Sequence, residues 1–155
     1  MPMGRSDLTD SEMARLKIGN ATFHFSCRII SLCRALGTPV LLENPLSSQI
    51  WSAPRLAKLT AGTDSCRSHC HMCQYGTRWR KATRLQGWHV SSMSPLSCKC
   101  QSKDGICSRT KRPHIELSGT APGGRKWTSL AAAYPLLSLL LPLLFLSSPL
   151  NKITA

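Results

Sequence analysis

The chain has 155 residues, a length that allows one domain, and its 42% hydrophobic content is ordinary for a globular protein. Its formal net charge of +13 favours an anionic partner over a cationic one. Residues 51–126 carry fourteen Lys and Arg against three Asp and Glu, whereas residues 1–50 carry five against four. This basic middle, with Tyr75, Trp79 and Trp88 interleaved, suits a polyanion such as nucleic acid; the alternative is an ordinary solvated surface.

Eight cysteines could form disulfides or bind metal. Residues 1–20 carry charged side chains and have no apolar segment of the kind found in a secretory signal peptide. An intracellular, reducing compartment is therefore expected, where disulfides are rare. Free thiols and metal ligands are the favoured roles for these cysteines.

A long amphipathic helix is predicted near the amino terminus. Suitable N-cap residues are Thr9, Asp10 and Ser11. Glu12 supports a helix start, and Gly37 is a suitable C-cap. Between them, a stripe of residues recurs at steps of three and four: Ile18, Thr22, Phe25, Ile29, Leu32, Cys33 and Leu36. Cys27 and Cys33 lie on or beside this stripe and are expected to be buried as small hydrophobic side chains.

A short apolar strand is predicted after this helix. Residues 40–42 are Val-Leu-Leu, they follow Gly37 and Pro39, and Pro45 ends the run. This pattern predicts a buried parallel strand with Glu43 at its carboxyl end, which is where ligands bind in open α/β sheets. Helix, loop and strand in this order predict an αβ unit, half of a doubly wound sheet.

The rest of the chain divides by composition. Pro54 can open a second short helix that Gly62 ends, but residues 66–73 are more polar than a further core strand should be. Beyond Leu85 the sequence is rich in Ser, Pro and Gly, which predicts loops. We therefore predict three regions: a partial α/β unit over residues 1–90, a basic loop region containing Cys and His over residues 91–126, and an apolar tail over residues 127–155.

The tail allows three interpretations. Residues 130–150 form a run without charge that is long enough to cross a bilayer, which needs about 20 residues. Pro135, Pro142 and Pro149 argue against a straight helix, although transmembrane helices tolerate proline. The run is therefore a membrane segment, a collapsed core segment, or a tail without a native fold because the chain is a truncated or shifted reading of a longer gene.

Two motifs carry a resemblance to a known family. They are Glu43-Asn44-Pro45-x-Ser47-Ser48-x-x-Trp51 and Cys73-Gln-Tyr-Gly-Thr-Arg-Trp-Arg-Lys-Ala-Thr-Arg-Leu85. Together they resemble a family of DNA methyltransferase-like proteins of algae, protists and viruses, which is similar to cytosine-5 DNA methyltransferases. The likeness extends from about residue 20 to residue 134. It implies a partial Rossmann-like methyltransferase sheet, followed here by the Cys/His loop region and the apolar tail.

The resemblance also implies roles for particular side chains. Glu43 would contact the ring-nitrogen edge of a flipped cytosine, and Asn44 would orient the turn beside it. The alternative is that Glu43 caps the turn that follows. A basic cluster would hold DNA phosphate, or would be plain solvated surface: Arg78, Arg80, Lys81 and Arg84.

Essential parts of such an enzyme are missing from the sequence. S-adenosylmethionine is the cofactor that the family implies, but the chain has no Gly-x-Gly loop after an early strand to hold it and no Pro-Cys loop to supply a nucleophile. We therefore expect a carboxyl-terminal part of a methyltransferase-like protein, inactive alone, with residual nucleic-acid binding and an unknown amino-terminal half. The alternative is a small tail-anchored membrane protein whose basic body lies on anionic lipid.

A zinc site is the second chemical prediction. One group of donors lies at Cys66, His69, Cys70, His71 and Cys73, and another at Cys98, Cys100, Cys107 and His114. Zinc takes four thiolate or imidazole ligands in a tetrahedron, and both groups have enough donors. Part of the second group recurs in the resembled family. We predict a structural zinc loop that uses Cys98 or Cys100 with Cys107 and His114, with Cys73 as the candidate fourth ligand; loose free thiols are the alternative.

Overall fold

The computed structural model describes residues 7–131, so the predicted tail segment lies almost entirely outside the described residues. These residues contain three α-helices: α1 (Asp10–Ala35), α2 (Pro54–Thr60) and the short α3 (Trp127–Leu130). Three strands form one sheet: β1 (Val40–Pro45), β2 (Ser65–His71) and β3 (Ala82–Trp88). In residues 7–131, no helix combines the length and the apolar composition that a bilayer crossing requires.

Helix α1 begins where the sequence predicts. The Thr9 side chain accepts a hydrogen bond from the Glu12 backbone N–H, and the Thr9 backbone N–H donates to the Glu12 carboxylate at 2.9 Å, which makes a capping box. The predicted stripe, however, does not face the core. Ile18 and Leu36 are 68% and 70% exposed, whereas Phe23, Cys27 and Ile30 are buried. The buried face is the shorter apolar row, on another side of the helix.

The sheet corrects the predicted strand arrangement. Its order is β1-β3-β2, and both pairings are antiparallel, with Glu43 opposite Leu85 and Ser68 opposite Leu85 on the other side. The prediction of a parallel strand at residues 40–42 is therefore wrong, because β3 runs back between β1 and β2. The mixed α/β class is confirmed, but a Rossmann-like sheet is not, since that arrangement requires parallel strands joined by crossovers.

Strand β2 also forms where the sequence looked too polar. Its residues alternate between two faces, so Ser68 and Cys70 are buried while Arg67 is exposed. Ser68 is satisfied by a 2.8 Å hydrogen bond with the Ser97 hydroxyl. Pairing with β3 along the whole length of β2 stabilises this strand in spite of its low apolar content.

One core cluster lies where α1 and α2 pack on the carboxyl end of β3. It consists of Phe23, Cys27, Ile30, Ala53, Leu56 and Trp88. Trp88 is completely buried, and its indole N–H donates to the Leu59 carbonyl at 2.9 Å. A bidentate ion pair between Arg34 and Asp64, at 2.7 and 2.8 Å, ties the end of α1 to the start of β2.

A second apolar cluster forms against other residues of β2 and β3. It consists of Cys70, Met72, Tyr75, Leu85, Met93 and Leu96. Met93 and Leu96 belong to the loop region that follows β3, where residues 91–126 contain no regular element beyond the three-residue 3-10 turn Ser94–Leu96. Loops therefore dominate this region, and they pack on the sheet. The division of the chain into three regions stays a prediction.

Candidate metal centre

Four side chains converge beside the sheet: Cys73, Cys100, Cys107 and His114. Their ligand atoms all lie within 4.8 Å of one another, and the three cysteines are almost fully buried. The Sγ atoms of Cys100 and Cys107 are 4.0 Å apart, and Cys100 Sγ lies 3.7 Å from His114 Nε2. A tetrahedron with zinc bonds of about 2.3 Å to sulfur and 2.1 Å to nitrogen requires separations of about 3.8 and 3.6 Å. This cluster could therefore hold a metal ion such as zinc.

Cys73 is placed by the end of strand β2. It lies in the 3-10 turn Met72–Tyr75, which follows β2 directly. The Met72 backbone N–H donates to the Arg80 carbonyl at 2.9 Å, and the turn ends at Gly76 with φ of 104°, a left-handed conformation that glycine adopts without strain. Cys73 is therefore held by the part of the chain that connects β2 to β3.

The other three ligands come from one loop with equal spacing. Six residues separate Cys100 from Cys107, and six more separate Cys107 from His114. The Cys107 N–H donates to the Arg112 carbonyl and the His114 N–H donates to the Gly105 carbonyl, both at 2.9 Å. These bonds fold the loop back on itself, so that residues distant in sequence present their side chains to one point.

Backbone and side-chain groups donate hydrogen bonds to the cysteine sulfur atoms, as donors do around thiolates. The Ser108 N–H and hydroxyl donate to Cys100 Sγ at 3.3 and 3.4 Å, and the Gln74 amide donates to Cys73 Sγ at 3.4 Å. Burial opposes ionisation of the Cys107 thiol, but hydrogen bonds from Thr110, Arg109 and His114 outweigh it and lower the pKa to about 6.

The pKa of the Cys73 thiol is shifted in the opposite direction. Burial, with smaller contributions from the neighbouring Cys100 and Cys107, raises the pKa of its thiol to about 12, against a hydrogen bond from Gln74 that lowers it. A metal ligand must be a thiolate, so metal binding would have to release the Cys73 proton. The donor set of three thiols and one imidazole suits zinc, which would supply structural cross-linking here because all four positions are taken by protein.

The structure separates the predicted ligands into two sets. It brings Cys73, Cys100, Cys107 and His114 together, whereas Cys98 is exposed and its thiol donates to the Pro95 carbonyl at 3.7 Å. The earlier donor group does not assemble: among the described residues no other cluster of three or more potential ligands is close enough to hold a metal.

His71 has a supporting position that sequence reasoning missed. Its Nδ1 accepts the Cys100 backbone N–H at 2.9 Å and lies 3.3 Å from Arg80 Nε. Burial and then Arg80 lower the pKa of His71, which favours the neutral ring that can accept these bonds. Spacing alone could not reveal this contact, because it spans 29 residues.

Glu43 and Asn44, the two base-contact candidates, lie next to each other on β1 and therefore point to opposite faces of the sheet. A Glu43 carboxylate oxygen lies 4.0 Å from Lys81 Nζ. Cys70 lies on the same face as Glu43, because Glu43 and Ser68 are both opposite Leu85 and Cys70 follows Ser68 by two residues. Burial and then the Glu43 charge raise the pKa of the Cys70 thiol to about 11. Asn44 is opposite Arg84 in the β1–β3 register.

The four predicted phosphate contacts do not form one surface. Arg78 and Arg80 are exposed on the loop before β3, while Lys81 is half-buried and donates to the Ala131 carbonyl at 3.3 Å. Arg84 lies within β3, with its guanidinium 4.4 Å from the centre of the Trp51 ring. The predicted cluster is therefore divided between an exposed loop and the sheet.

A cleft of about 620 Å³ adjoins the metal centre, and we call it the metal-loop cleft. Cys107 and His114 form part of its lining, together with Arg78 and Arg112, which are both exposed. The Ile115 backbone N–H donates to the Arg78 carbonyl at 2.9 Å, so the two loops that form the cleft are joined.

Comparisons of this chain with protein-family models, with curated proteins and with solved structures found no match. The resemblance to cytosine-5 DNA methyltransferase-like proteins therefore stays a prediction from the two sequence motifs.

Proposed function

We propose that this chain is a zinc-ordered module that binds nucleic acid. The observation that carries the proposal is the convergence of three cysteines and one histidine on one point beside a cleft lined by Arg78 and Arg112. Two of the four ligands, Cys107 and His114, also line that cleft. A metal bound there would fix the shape of the surface that presents the arginines.

The charge of the region supports a phosphate-binding role. Six further basic residues are exposed in residues 91–126: Lys99, Lys103, Arg109, Lys111, Arg125 and Lys126. Residues 51–126 carry fourteen Lys and Arg against three Asp and Glu. Contacts from Lys and Arg to phosphate oxygens supply most of the affinity for nucleic acid without regard to sequence. The proposal is accordingly one of backbone binding.

The finer proposal is that the module descends from the carboxyl-terminal part of a cytosine-5 DNA methyltransferase-like protein and is inactive alone. The position of Glu43 on β1, near Lys81, supports a retained polar contact at the motif that carries the resemblance. The chain lacks the Gly-x-Gly and Pro-Cys segments, so we assign no methyl-transfer step and no S-adenosylmethionine site to it.

The test combines metal content with nucleic-acid binding. Purified protein is expected to contain one zinc per chain by mass spectrometry of the metal, and to bind a labelled DNA oligonucleotide in fluorescence anisotropy with an affinity that falls steeply with salt. Arg78→Gln and Arg112→Gln are each expected to lower the slope of log affinity against log salt by about 1. Arg15→Gln, an exposed arginine on α1, is the matched control.

Two results would contradict the proposal. One is a zinc-loaded protein whose DNA affinity is indifferent to salt. The other is an equal loss of affinity in Arg15→Gln and in the two cleft variants, which would reduce the interaction to net charge.

A further inference from the structure

A second group of cationic side chains lies on the sheet itself. In the β2–β3 register His69 is opposite Arg84 and Arg67 is opposite Gln86, so these four residues share one face. Lys99 lies close enough to His69 that its charge lowers the pKa of that ring, after the larger effect of burial. Three permanent charges and one histidine are therefore gathered on a small area.

Arg84 is held rigidly at the centre of this group. Its guanidinium stacks on Trp51 at 4.4 Å, and its Nη2 donates to the Gln86 side-chain oxygen at 2.8 Å. Gln86 is in turn fixed by donating to the Cys66 carbonyl at 3.0 Å. The Arg84 Nε is buried and has no hydrogen-bond acceptor among residues 7–131.

These positive charges have no acidic counterpart in the described part of the chain. The ion pairs found there involve Arg34, Lys81 and His89, and none involves Arg67, Arg84 or Lys99. Burial lowers the pKa of Arg84, and the charge of Arg67 lowers it further. Arg84 is half-buried beside the exposed Arg67, and holding a partly desolvated guanidinium next to a second positive charge costs free energy unless an anion is bound between them.

A cleft of about 230 Å³ opens at this point between the end of α2 and the two strands. Arg67, Arg84 and Gln86 line it on the strand side, and Thr60 and Gly62 line it on the helix side. The volume admits a small tetrahedral anion with its bound water. We call it the Arg67–Arg84 cleft.

We propose that the Arg67–Arg84 cleft binds a phosphate group. Two guanidinium groups can donate paired hydrogen bonds to several oxygens of one phosphate, and stacking on Trp51 pre-orients the one from Arg84. The phosphate belongs either to a nucleic-acid backbone or to a small phosphorylated molecule. The cleft shares no residue with the metal-loop cleft, so this inference goes beyond the proposed function and does not depend on it.

The experiment titrates the full chain as purified with inorganic phosphate by calorimetry, at constant ionic strength balanced with chloride. Saturable binding is expected, and Arg84→Gln and Arg67→Gln should each weaken it about tenfold or more, because each removes a charged hydrogen-bond donor. Arg15→Gln should leave it unchanged. Arg67 is exposed, so its variant carries the test if loss of the Trp51 stack unfolds Arg84→Gln.

A parallel titration with an oligonucleotide that lacks a terminal phosphate separates the two sources. If Arg67→Gln lowers the affinity for both ligands, the site binds the nucleic-acid backbone. If it lowers the affinity for inorganic phosphate alone, the site binds a small phosphorylated molecule. Absence of saturable phosphate binding, or an equal loss in Arg15→Gln, overturns the proposal. If the proposed function is wrong, Arg78→Gln will bind DNA as the wild-type protein does. That result is independent of the phosphate titration.

Discussion

The two ends of the sheet are held together by different means. At the end where β3 finishes, α1 and α2 cover Trp88 and Leu56 with an apolar core. At the end where β3 begins, the loops are joined by a cluster that contains only three cysteines, with His114 beside it. Apolar burial holds the first end. At the second end Met72 and Tyr75 supply some apolar packing, and the metal that we propose for this cluster would cross-link the loops.

Removing a metal ligand should destabilise the end of the sheet where β3 begins and leave the helix-covered end intact. Cys107→Ser removes one of four candidate ligands and is expected to cost the metal-loop end several of the roughly 10 to 16 kcal/mol that structural zinc supplies in small zinc-binding peptides. Hydrogen exchange followed by mass spectrometry should then show lost amide protection over residues 99–115, while α1 and β3 stay protected.

Cys98→Ser is the matched control for this prediction. Cys98 is an exposed cysteine two residues before Cys100, and its thiol lies outside the cluster. The variant should keep both its zinc and its protection. Equal protection over residues 99–115 in Cys107→Ser and in Cys98→Ser would mean that apolar packing alone holds the loop.

The helix end should respond to side-chain volume instead. Ile30→Ala is expected to destabilise the chain by about 2 to 5 kcal/mol, because Ile30 is 2% exposed and its removal leaves a cavity. Ile18→Ala, on the same helix but 68% exposed, should change stability by only about 0.5 kcal/mol. Urea unfolding measured for both variants would check this, and a cost for Ile18→Ala as large as that for Ile30→Ala would show that the other face of α1 is packed.

Ile18 and Ile30 also show which features of the helix the sequence predicts and which it does not. The start of α1 was predictable because capping by Thr9 and Glu12 is local. The buried face was not, because α1 carries two apolar rows and the sequence favours the longer one, which includes Ile18. Which row is buried depends on the contacts of Ile30 with α2 and Trp88, and no pattern within the helix contains that information.

The sheet and the metal centre show the same division between local and distant information. An apolar run at residues 40–42 predicts a strand but carries no sign of its direction, and β2 is held by pairing with β3 more than by its own composition. The regular spacing of Cys100, Cys107 and His114 was readable in the sequence. The choice of Cys100 over Cys98 depends on the contacts between the loop and the end of β2, where the Cys100 N–H meets His71.

The smallest expected effect concerns the ion pair at the helix end. Hydrogen bonding with Arg34 holds the pKa of the Asp64 carboxyl below its ordinary value, with burial acting in the opposite direction. A depressed folded-state pKa stabilises the fold above the unfolded value of about 3.9, and this contribution is lost as pH falls through the folded value. Asp64→Asn should therefore reduce stability at neutral pH and leave a shallower dependence of stability on pH below about pH 4.

Asp104→Asn, at an exposed loop position with φ of 51° that asparagine also tolerates, is the control that should retain the wild-type acid profile in thermal melts. If Asp64→Asn has the same acid profile as Asp104→Asn, the ion pair does not couple α1 to β2, and the helix end is held by its apolar core alone.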